Sequence, residues 1–461
     1  MGYIKSHSKT WGELVGALLI LISLAPPNPS WAAFASQFSL GIGEQYNDNI
    51  FFSKTKEHDF ITSFLPTLSF FYAPPGETEP AGRLAITPTG EVYARHSALN
   101  NFGENVSINS SYLYRYSPRL TFNFSDTFGR QGPTRTGGAG ELFALQTGPT
   151  TSVPGAGATR NLKDLVSGGD QLTNSLSLQG DYLFRPDISI TSSYSNSYTR
   201  FIGAGGTDVF HTMGARGIYN WRRDHNLHAG YFLSISNSRN GDSELIHNFD
   251  FGDDYFSNYN LQLTPTLSLT ASTGLAFTTG DNGSRSTDGK RKSGPQLASN
   301  TNITVTKLWE TAALNAGFSK GLTPSFGISG ISDTMAIFTN LIFRFTEKLS
   351  ANADATWSHY DTEDGNFKTF QAGMGLQYTI TSWLSAGLNY RFRWVDGGSG
   401  ATQSDLLNRG TVNSNSVSLV LTSHFDLWPN TGLARSLESQ TLNPILKTPF
   451  PLPSKNPSNI P

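Results

Sequence analysis

Leu384-Ser385-Ala386-Gly387-Leu388-Asn389-Tyr390-Arg391-Phe392-Arg393-Trp394 alternates without a break. Leu384, Ala386, Leu388, Tyr390, Phe392 and Trp394 are apolar; Ser385, Gly387, Asn389, Arg391 and Arg393 are small, polar or basic. A strand sends successive side chains to opposite faces, so this segment predicts one face against an apolar medium and the other against water.

The rhythm recurs along the chain. Strands are expected near 37–46, 59–71, 83–96, 102–116, 119–130, 170–184, 188–201, 208–221 and 226–238. They continue near 247–263, 267–279, 296–308, 311–322, 331–345, 349–361, 367–378, 384–396 and 410–425. Each meets the roughly 9–11 residues that a tilted membrane-spanning strand needs. Two kinds of connection take turns between them. One is short: Ser117-Pro118, Arg185-Pro186-Asp187, Arg222 to His225, Thr264-Pro265-Thr266, Glu310, Thr346-Glu347-Lys348 and Thr379 to Trp383. Pro and Asp preset such turns. The other kind, at 47–58, 131–169, 239–246, 280–295 and 397–409, is longer and rich in Gly, Ser, Asn and charge. Short periplasmic turns, long outer loops and an even strand number define bacterial outer-membrane barrels. The connection 72–82 is long for its class, which leaves sixteen strands as the alternative to eighteen.

Bulk properties narrow the class. The 461 residues are 37% hydrophobic with a mean hydropathy of -0.29. Apart from the N-terminus, no apolar run approaches the roughly 20 residues of a spanning helix. The pattern runs from Phe38 to Phe425 without a linker, which favours one closed sheet over several soluble domains. A net charge of -2 and a pI of about 6.5 provide no field to attract nucleic acid. The absence of cysteine excludes disulfides and thiolate metal sites. Residues 1–35 read as a signal peptide: Lys5 and Lys9, the apolar Leu14 to Leu24, then Ala33-Phe34-Ala35 as cleavage site.

Aromatic residues gather just before the short turns: Tyr114 and Tyr116, Tyr182 and Phe184, Tyr219 and Trp221, Phe343 and Phe345, Tyr378, Phe425 and Trp428. Rings with a polar edge settle at lipid–water interfaces and form girdles there. An unpaired backbone group in lipid costs several kcal/mol, so the sheet has to close and the last strand has to pair with the first. The last strand ends Val417 to Phe425, alternating and aromatic-terminated, a form suited to recognition by barrel-assembly machinery.

Two stretches resemble the outer-membrane β-barrel porins of Gram-negative bacteria, including members found beside exopolysaccharide or exosortase loci. They are Tyr46-Asn47-Asp48-Asn49-Ile50-Phe51 and Asp59-Phe60-Ile61-Thr62-Ser63-Phe64-Leu65-Pro66. Turn-strand phrases at 263–269 and 378–385 add to the likeness, which covers about 36–425. It implies an all-β transmembrane barrel in the outer membrane and assigns no cargo.

Parity yields candidate lumen residues: Glu91, Arg95, Arg115, Arg119, Asp181, Arg216, Asp250, Asp254, Asp354, Arg391 and Arg393. Charges in a wet lumen bias which solutes pass. Arg391 and Arg393 share a face and suit bidentate binding of phosphate, sulfate or carboxylate, or pairing with inward aspartates. The longest loop, 131–169, carries Arg135, Glu141, Arg160, Lys163 and Asp164; by analogy with general porins it is a candidate constriction, with a mobile surface loop as the plainer reading.

Lys290, Arg291 and Lys292 offer lipopolysaccharide phosphates a cationic contact. Asp250, Asp253 and Asp254 are oxygen ligands in principle, but alternation turns Asp253 away, so no metal site is assigned. Residues 426–461 hold seven of the 23 prolines and read as an extended periplasmic tail that either docks a partner or hangs free.

No phosphate loop or paired metal-ligand histidines occur, and no enzyme activity and no cofactor are expected. The expected function is a porin-like channel for small hydrophilic solutes. The alternatives are an accessory barrel of exopolysaccharide or protein export, and an outer-membrane barrel enzyme.

Overall fold

A computed structural model describes residues 33–74, 80–131, 171–202, 206–222, 224–237, 243–257, 267–279, 297–324, 331–362, 365–397 and 410–428. Eighteen strands emerge: β1 Ala33–Asn47, β2 Asp59–Ala73, β3 Gly82–Tyr93, β4 Asn101–Ser117, β5 Leu120–Gln131, β6 Gln171–Arg185, β7 Ile188–Phe201, β8 Thr207–Arg222 and β9 His225–Asn237. The second half is β10 Ser243–Ser257, β11 Leu267–Thr279, β12 Leu297–Leu308, β13 Ala312–Pro324, β14 Ile331–Arg344, β15 Leu349–Thr362, β16 Gly365–Thr381, β17 Leu384–Gly397 and β18 Thr411–Trp428.

Each strand pairs antiparallel with the next, and β18 returns to β1 from Ser36↔Trp428 to Asn47↔Ser416. The sheet is therefore a closed barrel of eighteen strands, and the count of sixteen is set aside. Closure leaves no edge strand, which is the condition a sheet must meet in lipid.

Side chains divide by parity all round the ring. Ile42, Phe64, Leu388 and Leu419 share the outer face and are exposed, whereas Gly43, Ser63, Asn389 and Ser418 of the same strands turn inward. The outward rings form two bands. Tyr114, Tyr116, Tyr182, Phe184, Tyr219, Trp221, Tyr378 and Trp383 mark the short-turn end. Tyr46 packs on Phe60 at 5.1 Å near the long-loop end, and Tyr231 packs on Phe249 at 4.9 Å at mid-strand between the two ends.

Short turns are fixed locally. Ser117 Oγ accepts from the Arg119 N–H at 3.3 Å, and Thr346 Oγ1 accepts from the Leu349 N–H at 3.0 Å. Such Ser and Thr bonds replace the ladder partners that a turn lacks.

Several boundaries differ from the sequence reading. The ladder begins at Ala33 and ends at Trp428, where the first strand is expected from 37 and the last to 425; Gln37 Nε2 donates to Asp426 Oδ1 at 3.4 Å. β10 starts at Ser243, ahead of the expected 247: Leu245 faces out while the apolar Ile246 faces in, packing with Ala276, and this breaks the simple alternation. β3 stops at Tyr93, short of Arg95.

Candidate channel interior and mouth

Register places the inward side chains in rows. Arg216 on β8, Gly230 on β9 and Asp250 on β10 share one. A Cβ at Gly230 would collide with Asp250 Oδ1, so glycine there leaves the room in which Arg216 Nη2 reaches Asp250 Oδ2 across the intervening strand. The guanidinium also lies 5.6 Å from the Phe232 ring centroid. His228, 2% exposed, has its ring nitrogens 3.8 Å from Asp250 Oδ2 and 3.6 Å from Asp254 Oδ2. Charges withdrawn from water need opposite charges beside them, and here the Arg216 guanidinium sits against the Asp250 carboxylate.

A second row joins Asp354 on β15, Gly373 on β16 and Arg391 on β17. A Cβ at Gly373 would sit 2.7 Å from Asp354 Oδ1, so the gap again holds a carboxylate between strands. Arg393 faces in two residues further on and is buried. Between these walls, the described residues of β11 to β13 turn no charge inward; Ser272, Asn300, Asn302, Thr304, Asn315 and Ser319 give hydroxyls and amides instead.

The other sequence candidates lie as follows. Glu91 faces in and accepts from Tyr93 Oη at 3.1 Å. Asp181 faces in and accepts from Thr191 Oγ1 at 2.7 Å and Gln179 Nε2 at 3.0 Å. Arg115 faces in opposite Thr121, near the short-turn end. Arg119 sits in the β4–β5 turn rather than on the ladder. Arg95 lies beyond β3 at the rim, against His58. The cause is Asp59, whose carboxylate accepts from the N–H groups of Arg95 at 2.9 Å and His96 at 3.0 Å and pulls the chain off the ladder. Asp253 faces outward with His225 Nδ1 at 2.7 Å. Arg135, Glu141, Arg160, Lys163 and Asp164, with Lys290, Arg291 and Lys292, lie outside the described residues.

The mouth holds what the sequence reading missed. Between β1 and β2, residues 48–58 grip β18 from both faces. On the outer face, Asp48 accepts from the Asn415 N–H at 2.6 Å and Nδ2 at 2.9 Å, and Lys56 Nζ donates to Asp48 at 2.8 Å. On the inner face, Asn47 Oδ1 accepts from Ser414 Oγ at 3.0 Å. Asn49, 1% exposed, donates from Nδ2 to the carbonyls of Ser53 at 2.8 Å and Asn413 at 2.9 Å, and its Oδ1 accepts from the Ser53 N–H at 3.0 Å.

The loop then turns inward. Ile50, fully buried, packs on Ile61 and Tyr93, and Phe52, 4% exposed, packs on Val395 and Val412. By register all four partners line the inner wall. Phe52 adopts a φ of 45°, a conformation that costs an L-residue roughly 1–2 kcal/mol and that its burial offsets. Burial pushes the Asp48 carboxyl up, but hydrogen bonds from Lys56 and Asn415 and the Lys56 charge outweigh it and hold it below the usual carboxylate range. The available signal was the triplet Ile50-Phe51-Phe52, apolar where a solvated loop would be polar.

No family model and no curated protein matches this chain. Among solved structures it is similar to Pseudomonas aeruginosa OccK2 (OpdF), with a TM-score of 0.44 and 10% identity over 86% of this chain and 98% of that one. It is also similar to Acinetobacter baumannii OccAB4, with a TM-score of 0.43 and 10% identity over 86% of this chain and 100% of that one. The Pseudomonas aeruginosa outer membrane protein OpdK matches at a TM-score of 0.41 and 13% identity, over 85% and 98%. Likeness at these values says nothing of what passes through the barrel, so function has to be argued from the chain's own residues.

Proposed function

We propose that the chain is a passive outer-membrane channel for small hydrophilic solutes. One observation carries this reading: around a ring with no open edge, the outer face is apolar and banded by aromatics while the inner face is polar and charged. A sheet of that kind exchanges its outer surface for lipid and keeps water within. The short-turn end then faces the periplasm and the 48–58 loop the exterior. Glu91, Arg115, Asp181, Arg216, Asp250, Asp254, Asp354, Arg391 and Arg393 line the path, and diffusion biased by their charges selects solutes.

In this reading a signal peptide is removed, assembly machinery inserts the barrel, and the proline-rich tail stays in the periplasm. Planar-bilayer recording tests the reading: stepwise ohmic openings are expected, and a barrel that inserts yet stays silent contradicts it. Charge reversal sharpens the test. Arg391→Glu with Arg393→Glu removes two inward cations and adds two anions, so the reversal potential in a salt gradient is expected to move toward cation preference. An unchanged reversal potential would take both arginines off the solute path.

A further inference from the structure

We propose that His96 is a proton-operated latch on the 48–58 loop: charged, it ties Glu57 to Asp59 and keeps the loop seated in the mouth, and neutral, it lets Glu57 go. The inference rests on the channel reading for its consequence, though not for its chemistry.

His96 lies between β3 and β4 and opens the short helical turn Ser97–Leu99. Its Nδ1 is 2.8 Å from Asp59 Oδ2, and its Nε2 is 2.9 Å from Glu57 Oε2. A neutral imidazole has one N–H donor and one lone pair; only the imidazolium donates from both nitrogens. Carboxylates at hydrogen-bond distance from both nitrogens therefore describe the charged ring. A neutral ring would keep one bond and turn a lone pair toward the other carboxylate.

Which bond fails follows from burial. The Asp59 side chain is fully buried and accepts from the N–H groups of Phe60, Arg95 and His96 besides the ring. The Glu57 side chain is half exposed, and water replaces the ring at little cost. Glu57 is also the limb that holds Ile50, whose N–H donates to the Glu57 carbonyl at 2.9 Å. The Phe51 ring meets His96 edge-on at 5.5 Å, a second contact from the same loop. Losing Glu57 thus frees the side of the loop that seats Ile50 against the inner wall.

The groups around His96 set the direction. Asp59 on β2 and Glu57 on the loop favour the charged ring. Arg95, next to it on its own segment, has its guanidinium turned to His58. The hydrogen bond with Asp59, then that with Glu57, raises the His96 pKa above its ordinary 6.5 against the opposing pull of burial. A raised pKa means the latch is fully engaged below 6.5 and released as the pH climbs through the raised value.

The test pairs two measurements on the full chain. The first follows the His96 ring by NMR in ¹⁵N-histidine-labelled protein in detergent, assigned with His96→Gln. The expected result is a midpoint above 6.5 that falls in Glu57→Gln. A midpoint at or below 6.5, or one that Glu57→Gln leaves in place, overturns the latch. The second records single channels from about pH 6 to about pH 9, the range in which a raised histidine titrates. Wild type is expected to change its conductance or closing rate over the same midpoint, and both variants to lose that transition. A transition that survives His96→Gln overturns the inference. Absence of any conductance in wild type sinks the channel reading, while the NMR arm still decides the latch.

Discussion

Asn49→Ala is expected to lower the stability of the folded barrel by about 3 kcal/mol, because a buried backbone group left without its partner costs roughly 1–3 kcal/mol. The side chain is 1% exposed, and its removal takes partners from the Ser53 and Asn413 carbonyls and from the Ser53 N–H at once. The damage falls at the seam, where β18 meets β1 and the chain's two ends have to find each other with no turn between them. Every other pairing joins consecutive strands.

Gel-shift assays of the heated, folded protein and urea unfolding both read this loss. Asn109→Ala is the control: its exposed side chain donates only to Ser107 Oγ at 3.0 Å, and a shift within about 0.5 kcal/mol is expected. If the Asn49 and Asn109 variants unfold together, the 48–58 loop does not lock the seam. The Asp48 carboxylate, held below its ordinary 3.8, adds stability that is present above that value and disappears as the pH falls through the depressed one. The seam is therefore expected to weaken in acid.

The second large effect concerns parity. Leu388 is 47% exposed on the outer face, one outward position inside the Tyr378 row and opposite Leu376 and Leu419. Leu388→Arg puts a guanidinium into the lipid zone, where such a charge costs about 2–4 kcal/mol at the midplane and less toward the interfaces, so a loss of about 2 kcal/mol is expected. Asn389→Arg, one residue along, points inward beside Ser418 and is expected to cost about 0.5 kcal/mol or less. Folding yield into lipid vesicles measures both. Equal tolerance of the two would mean that the outer face does not meet lipid.

The sequence revealed strands wherever the inner face was polar. Ile188–Phe201 and Leu267–Thr279 coincide with the alternation because Ser, Thr and Gly fill the inner positions there. It misled where the lumen is apolar. Ile246 hid the start of β10, since a hydrophobic residue on each face reads as a break in period. Arg95 was carried onto the ladder because alternation has no knowledge of Asp59, a residue 36 positions away that captures its N–H.

The mouth was legible only as composition. The Asn47-Asp48-Asn49 cluster read as the start of a long outer loop, and nothing local says that its side chains will meet Ser414, Asn413 and Asn415. Contacts that span the seam depend on closure, so they follow from the fold rather than from the segment. The same holds for His96, whose two carboxylates stand at the start of β2 and in the loop before it, 37 and 39 positions earlier in the chain.

The chain has no cysteine, so single cysteines placed along β17 report their surroundings on a clean background. In protein reconstituted into vesicles, Gly387→Cys, Asn389→Cys and Arg391→Cys are expected to react with a water-soluble, membrane-impermeant thiol reagent. Ala386→Cys, Leu388→Cys and Phe392→Cys are expected to resist it and to react with a lipid-soluble one. A two-residue period in reactivity is the result the barrel predicts; equal reactivity at both parities would contradict it.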